Sequence, residues 1–306
     1  MNATPLPTTI PAYLEQLRRS LAGADPALIQ DALYDAEEYL RSEMAEQPDR
    51  SEADIIAAVA SSYGAPDEVA DIYRDTEVRV QTALQLPPVK APRSLLGCLF
   101  GVFVDPHTYG ALFYMLLSLA TGTFYFTWVV TGFSLSLGLA FVIIGIPLFV
   151  LFIASVRILA LLEGRIVETM LGERMPRRPV HAGPQRTWLD RIGAMLADPR
   201  TWLTSGYFLL MLPLGTAYFS LTVTMLAVAV TMVAFPVLLW LGIGSLGNWG
   251  ELQLEVFGYD LLSSAVGGGI SIVIGLALIV AMLHLARFIG HLHGKLAKHL
   301  LVTATA

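Results

Sequence analysis

Along residues 10–80 apolar positions recur every three or four residues, and from residue 112 onward they merge into runs long enough to cross a bilayer. The first pattern predicts four short amphipathic helices. Leu14, Leu17 and Leu21 form the stripe of the first, which Gly23 ends. Asp25-Pro26 reads as an N-cap with proline at the first helical position, and the second helix runs to about Ala45. Its inward face is Leu28, Ala32, Leu33, Ala36 and Leu40; its outward face is Asp31, Asp35, Glu37, Glu38 and Glu43. Ser51 with Asp54 opens a third helix through Ile55, Ile56 and Val59. Tyr63-Gly64-Ala65-Pro66 stops it and starts a fourth, with Val69, Ile72 and Tyr73 facing the core.

The long apolar runs predict an all-α membrane bundle. The head covers 10–80, a linker stiffened by Pro87, Pro88 and Pro92 covers 81–96, and the bundle covers 97–300. Residues 95–104 are too few to span and are expected at the interface. Residues 112–130 cross, Thr131-Gly132-Phe133-Ser134 turns, and 135–162 crosses back with a kink at Gly145-Ile146-Pro147. Residues 203–246 are apolar-rich, interrupted only by Pro213 and Pro236, and Leu252-x-Leu254-x-Val256 hints at a short strand. The last span covers about 262–285, with a basic helix over 286–300. Gly267-Gly268-Gly269 at its start suits close helix packing.

One motif occurs twice. Asp105-Pro106-His107-Thr108-Tyr109 and Asp198-Pro199-Arg200-Thr201-Trp202 stand 93 positions apart. The same offset carries Tyr114 onto Tyr207, Gly122 onto Gly215 and Tyr125 onto Tyr218. After a loss of four residues, Ile146-Pro147-Leu148 falls on Phe235-Pro236-Val237. Two related repeats, about 105–175 and 198–258, are therefore expected. Both Asp-Pro pairs read as helix starts with an aromatic residue at the water boundary.

Composition strengthens the membrane reading, because 55% of residues are apolar and 14% charged. Residues 1–90 carry 16 acidic and 7 basic side chains, and residues 91–306 carry 9 and 12. An acidic head is a poor match for direct nucleic-acid contact. Cys98 is the single cysteine, so no intramolecular disulfide can form. No basic stretch followed by an apolar core opens the chain, so no cleaved signal peptide is expected. Seven arginines against five acids in 163–202 mark that loop as cytoplasmic, on the same side as the head. The acidic loop 248–260 and the basic tail favour four crossings and an internal C-terminus, whereas a second hairpin within the repeat favours five. Four are preferred, with 203–215 a shallow helix broken at Pro213 and 216–246 a long tilted span.

Chemistry is sparse. Nucleotide, hydrolase and zinc-protease motifs are missing, so no catalytic residue, metal or cofactor is expected. Tyr114, Tyr125, Tyr207 and Tyr218, with Arg157 and Glu163, are candidates to line a ligand pocket between the repeats. Arg287, His291, Lys295 and Lys298 recur on one helix face suited to anionic lipid headgroups. Asp31, Asp35 and Glu38 are candidates for binding a protein partner.

Two resemblances sharpen this picture. Tyr13-Leu14-x-x-Leu17, Glu37-Glu38-Tyr39-Leu40 and Tyr63-Gly64-Ala65-Pro66-Asp67-Glu68-Val69-Ala70 resemble the HAAS domain, a bacterial helical module placed ahead of membrane segments. That implies a cytoplasmic protein partner, with PadR-like transcription regulators the implied class. Residues 97–300 resemble the sensor domain at the front of actinobacterial histidine kinases. The matching residues are Thr131-Gly132-Phe133-Ser134-Leu135, Ile144-Gly145-Ile146-Pro147-Leu148, Arg157, Glu163, Leu171-Gly172-Glu173 and Leu212-Pro213-Leu214-Gly215. Kinase motifs are missing from residues 1–306. The function so implied is a non-enzymatic sensor in the bacterial inner membrane, multi-pass with a cytoplasmic head, coupling a membrane or lipid-soluble signal to that partner. A small transporter or lipid-handling protein is the alternative, weakened by an apolar interior with few ionisable residues. A structural subunit of a membrane complex is the other, and small-residue helix faces leave a homo-oligomer open.

Overall fold

The computed structural model describes residues 6–84, 101–139, 144–178, 193, 197–241, 255–256, 259–260 and 265–302. The head is four helices: α1 Ile10–Ser20, α2 Pro26–Glu46, α3 Glu52–Ser62 and α4 Pro66–Leu84. Side-chain caps set the starts of α1, α2 and α3. The Asp25 side chain accepts from the Ala27 N–H at 2.9 Å, and Ser51 Oγ accepts from the Asp54 N–H at 3.2 Å. Gly64 turns the chain at φ 121°, and its carbonyl accepts from the Tyr13 hydroxyl at 2.8 Å. That bond ties the first helix to the turn before the fourth.

Tyr13, Leu17, Leu21, Leu40, Ile56 and Val69 bury into one core, as their periodicity predicts. Three head residues depart from it. Ile72 is 57% exposed, and Ala70 takes the inward place instead. Asp31 and Glu37, assigned to the solvated face, are buried. Glu37 is matched by Arg41 one turn on, at 2.6 Å; the reason for Asp31 lies outside the head. Replacing Ser51 with alanine should cost about 1 kcal/mol of head stability, read as a lower denaturation midpoint for the head's helical signal.

Beyond the head, a 3-10 turn at Gly101–Phe103 precedes α5 Pro106–Gly138, α6 Gly145–Leu171, α7 Pro199–Trp240 and α8 Ala265–Leu301. All four helices are long and apolar enough to cross a membrane, which is the make-up of a multi-pass membrane protein. Asp105 and Asp198 do cap α5 and α7, accepting from the His107 and Arg200 N–H groups at 3.1 and 3.0 Å. A two-residue strand pair, β1 Glu255–Val256 and β2 Tyr259–Asp260, sits between α7 and α8.

Several expected breaks are absent. The helix α5 continues through Thr131–Ser134, where Gly132 makes room for the Phe152 ring of α6 rather than a turn. Pro147 falls in the first turn of α6, where a missing N–H costs nothing, so it starts the helix instead of kinking it. Helix α7 runs unbroken through Pro213 and Pro236 over 42 residues, about 63 Å at the standard rise. The shallow helix expected over 203–215 is therefore not a separate element. Membrane helices tolerate proline because neighbouring groups satisfy the freed carbonyl. Likewise α8 joins the last span and the basic tail in a single helix.

Helices α5 and α7 meet closely at two glycines. A Cβ added to Gly122 would overlap the Met211 carbonyl oxygen, and one added to Gly215 would overlap that of Ser118. Helix α8 lies against α7 in the same manner, with Gly275 beside Ala229 and Val233 and Gly268 beside Pro236 and Trp240. Small residues admit this approach, and dispersion then holds helices that lipid would wet equally well.

Candidate functional site

Glu163 of α6 is fully buried, and three phenols close on its carboxylate. Tyr114 donates to Oε1 at 2.7 Å, Tyr207 to the same oxygen at 3.0 Å, and Tyr125 to Oε2 at 3.0 Å. Opposite stands His293 of α8, 1% exposed. Its Nε2 lies 2.7 Å from the Tyr114 hydroxyl and 3.0 Å from that of Tyr207, while Nδ1 lies 3.4 Å from that of Tyr218. All four long helices contribute, so the cluster exists only when the bundle is assembled.

Hydrogen counting constrains it further. A phenol carries one hydrogen, and three of them are spent on the carboxylate. Nε2 must then carry a hydrogen to bond the Tyr114 and Tyr207 oxygens. A carboxylate and an imidazole joined through two phenols form a relay along which a proton can move, or a switch that holds the helices in one register.

The Arg157 guanidinium, six residues before Glu163, bonds Asp198 at 3.1 Å and Thr201 at 3.2 Å across to the start of α7. Arg287, six residues before His293, pairs with Asp105 at 3.4 Å at the start of α5. Gly164 and Gly294 follow Glu163 and His293, and both are covered by the segment after α6. Met175 packs on Gly164, and Glu173 packs on Gly294 while meeting His291 at 3.6 Å.

That segment, 171–178, is also where the head docks. Asp31 accepts from the Arg177 and Arg178 N–H groups at 2.7 and 2.8 Å and bonds the Arg174 guanidinium at 3.1 Å. Arg174 also pairs with Glu77, and Arg178 with Asp35 at 2.9 Å. Lys298 near the end of α8 reaches Asp25 at 2.5 Å. Ala27 joins the same apolar cluster as Met175, Ala297 and Val302. Burial pushes the Asp31 carboxyl above its usual range, while the two backbone N–H groups and Arg174 pull it back.

The structure thus redistributes the candidates. Tyr114, Tyr125, Tyr207, Tyr218 and Glu163 do converge, in a packed hydrogen-bonded cluster, and Arg157 stands one step away. Of the partner-binding candidates, Asp31 and Asp35 are occupied by the chain's own arginines, whereas Glu38 is exposed. Of the headgroup candidates, Arg287, His291 and Lys298 meet protein carboxylates and Lys295 stays exposed. His293 went unrecognised. Its signal was present: Arg157-x5-Glu163-Gly164 and Arg287-x5-His293-Gly294 share one spacing.

Fold and site together define a multi-span helical membrane protein with a helical head docked on its bundle. A family model described as Putative sensor matches residues 114–301, and a HAAS model matches residues 12–72. The chain belongs to the Putative sensor family and carries a HAAS domain ahead of the sensor region. Compared with curated proteins and with solved structures, it matches none.

Proposed function

We propose that the protein is a non-enzymatic sensor of the bacterial inner membrane, in which the state of the bundle governs how firmly the head is held. One observation carries this reading. The segment 171–178 touches the glycines beside Glu163 and His293 on one side and Asp31 of the head on the other. A shift of the buried cluster therefore has a short mechanical path to the head. Release of α2 would uncover Asp31 and Asp35 for a basic surface on a cytoplasmic partner, with a PadR-like regulator the class implied by the HAAS domain. The arginine-rich segment supports a cytoplasmic side for the head and the α6 exit, and the Lys298–Asp25 pair favours the same side for the end of α8.

The bundle itself we read as two related hairpins, α5–α6 and α7–α8, rather than 105–175 and 198–258. The offset of 93 carries Asp105, Tyr114, Gly122 and Tyr125 onto Asp198, Tyr207, Gly215 and Tyr218. An offset of 130 carries Arg157, Glu163 and Gly164 onto Arg287, His293 and Gly294. The contacts are reciprocal under this mapping, as expected of two halves about a pseudo-two-fold axis. Pro236, by contrast, has no counterpart in Pro147, because one lies near the C-terminal end of α7 and the other opens α6.

Hydrogen exchange of residues 26–46 in the full chain in nanodiscs tests the coupling. Asp31→Ala is expected to raise exchange there about tenfold by removing three docking bonds. Glu163→Gln, remote from the head but central to the cluster, should shift the same exchange by about fivefold or more, within the usual range of coupling energies. A head whose exchange ignores Glu163→Gln would end the proposal.

A further inference from the structure

Between α6 and the start of α7 lies a groove of about 250 Å³ that none of the described residues fills. Arg157 and Arg200 stand at its rim, and Leu161, Met175 and Leu301 form its apolar wall. The corresponding groove of the other half, between α8 and the start of α5, is filled by the chain itself. Leu171 packs on Gly290 with Cδ2 3.2 Å from the added Cβ position, and Glu173 covers Gly294. Its carboxylate lies 3.6 Å from His291. Leu171 has its counterpart in Leu301, which lines the open groove, so the occupant peculiar to the filled groove is an anionic group.

The open groove differs from the filled one in a consistent direction. By the offsets of 93 and 130, Arg200 stands where His107 does, Leu161 where His291 does, and Ala160 where Gly290 does. Its rim is more basic and its wall more apolar. Among the described residues no carboxylate pairs with the Arg200 guanidinium. Ile158, 67% exposed, continues the wall outward along α6. A site of this volume takes a headgroup and the first methylenes, while the remaining chain runs over exposed apolar side chains.

We propose that this groove binds one anionic phospholipid, its phosphate on Arg200 and Arg157 and an acyl chain along Leu161 and Ile158. A guanidinium presents its donors in a fork that fits phosphate oxygens. The inference deepens the sensor reading and rests on it for the membrane orientation. Gln30 of the head also lines the groove, so an occupant would touch both the bundle and the docked head.

Native mass spectrometry of the full chain, with phosphatidylglycerol or phosphatidylcholine added in detergent, tests it. One phosphatidylglycerol should be retained, about tenfold more strongly than phosphatidylcholine. Arg200→Gln, and separately Ala160→Trp, which fills the groove, should each abolish the preference. Arg165→Gln, removing a charge paired with Glu168 on the same helix, should keep it. Equal retention of both lipids, equal loss in Arg165→Gln, or displacement of phosphatidylglycerol by inorganic phosphate would overturn the proposal. Because this experiment reads lipid retention and not head exchange, it can fail while the coupling of Glu163 to the head still holds.

Discussion

Glu163→Leu is expected to be the most damaging single substitution in the bundle, lowering stability by about 3–5 kcal/mol. The carboxylate accepts from Tyr114, Tyr125 and Tyr207 in a fully buried setting. Leucine restores volume but accepts nothing. A change of tautomer at His293 would let Nε2 accept the hydrogen of one of the Tyr114 and Tyr207 hydroxyls, so part of the loss is recovered locally. Tyr125 has no such alternative among its bonds, and a stranded buried hydroxyl costs about 1–3 kcal/mol. Thermal unfolding in nanodiscs reads the effect directly. Adding Tyr125→Phe to Glu163→Leu should recover stability, whereas Tyr125→Phe alone should lose some. That reversal of sign in a double-mutant cycle separates a hydrogen-bonded cluster from mere packing. Additive losses would count against the cluster as described.

Gly215→Ala should come next, at about 2–3 kcal/mol. The added methyl would overlap the Ser118 carbonyl oxygen, and backbone cannot move aside as a side-chain tip can. Helices α5 and α7 would have to separate along their crossing, which also pulls Tyr114 from Tyr207. Gly122→Ala meets the Met211 carbonyl in the same way and should behave alike. Gly206→Ala on the same helix is the control, since nothing lies within 4 Å of its added Cβ. A melting temperature that falls equally in Gly206→Ala and Gly215→Ala would show that loss of glycine, not the crossing, is responsible.

The contrast between head and bundle explains which features could be read in advance. In the head, water lies outside and an apolar core inside, so Leu14, Leu17, Leu28 and Leu40 announce their face by spacing alone. Asp31 departed from that logic because its environment is set by Arg174, Arg177 and Arg178, well over a hundred residues away in the chain. In the bundle, lipid is as apolar as the interior, and spacing no longer says which side faces in. Polar residues carry that information instead. Tyr114, Tyr125, Tyr207 and Glu163 could be singled out for this reason, while His293 was hidden among the basic residues of its own helix.

Proline and glycine show the same division. Pro106 and Pro199 sit beside capping aspartates, a local arrangement that fixes a helix start. Pro213 and Gly132 have no local meaning of that kind. One is absorbed within α7, and the other gives way to the Phe152 ring of α6. Their roles follow from what packs against them.

The sequence by itself determined the element types, the caps at Asp25, Ser51, Asp105 and Asp198, the apolar spans and the duplicated helix starts. These depend on neighbours a few residues away and on the choice between water and hydrocarbon. Only the tertiary structure decided that α7 runs unbroken through Pro213 and Pro236. It also decided that Glu163 and His293 face each other through two tyrosines, and that the acidic helix of the head closes on the arginines after α6. Those pairings join side chains far apart in the chain, whose complementary charge and shape become visible only once the helices have been brought together.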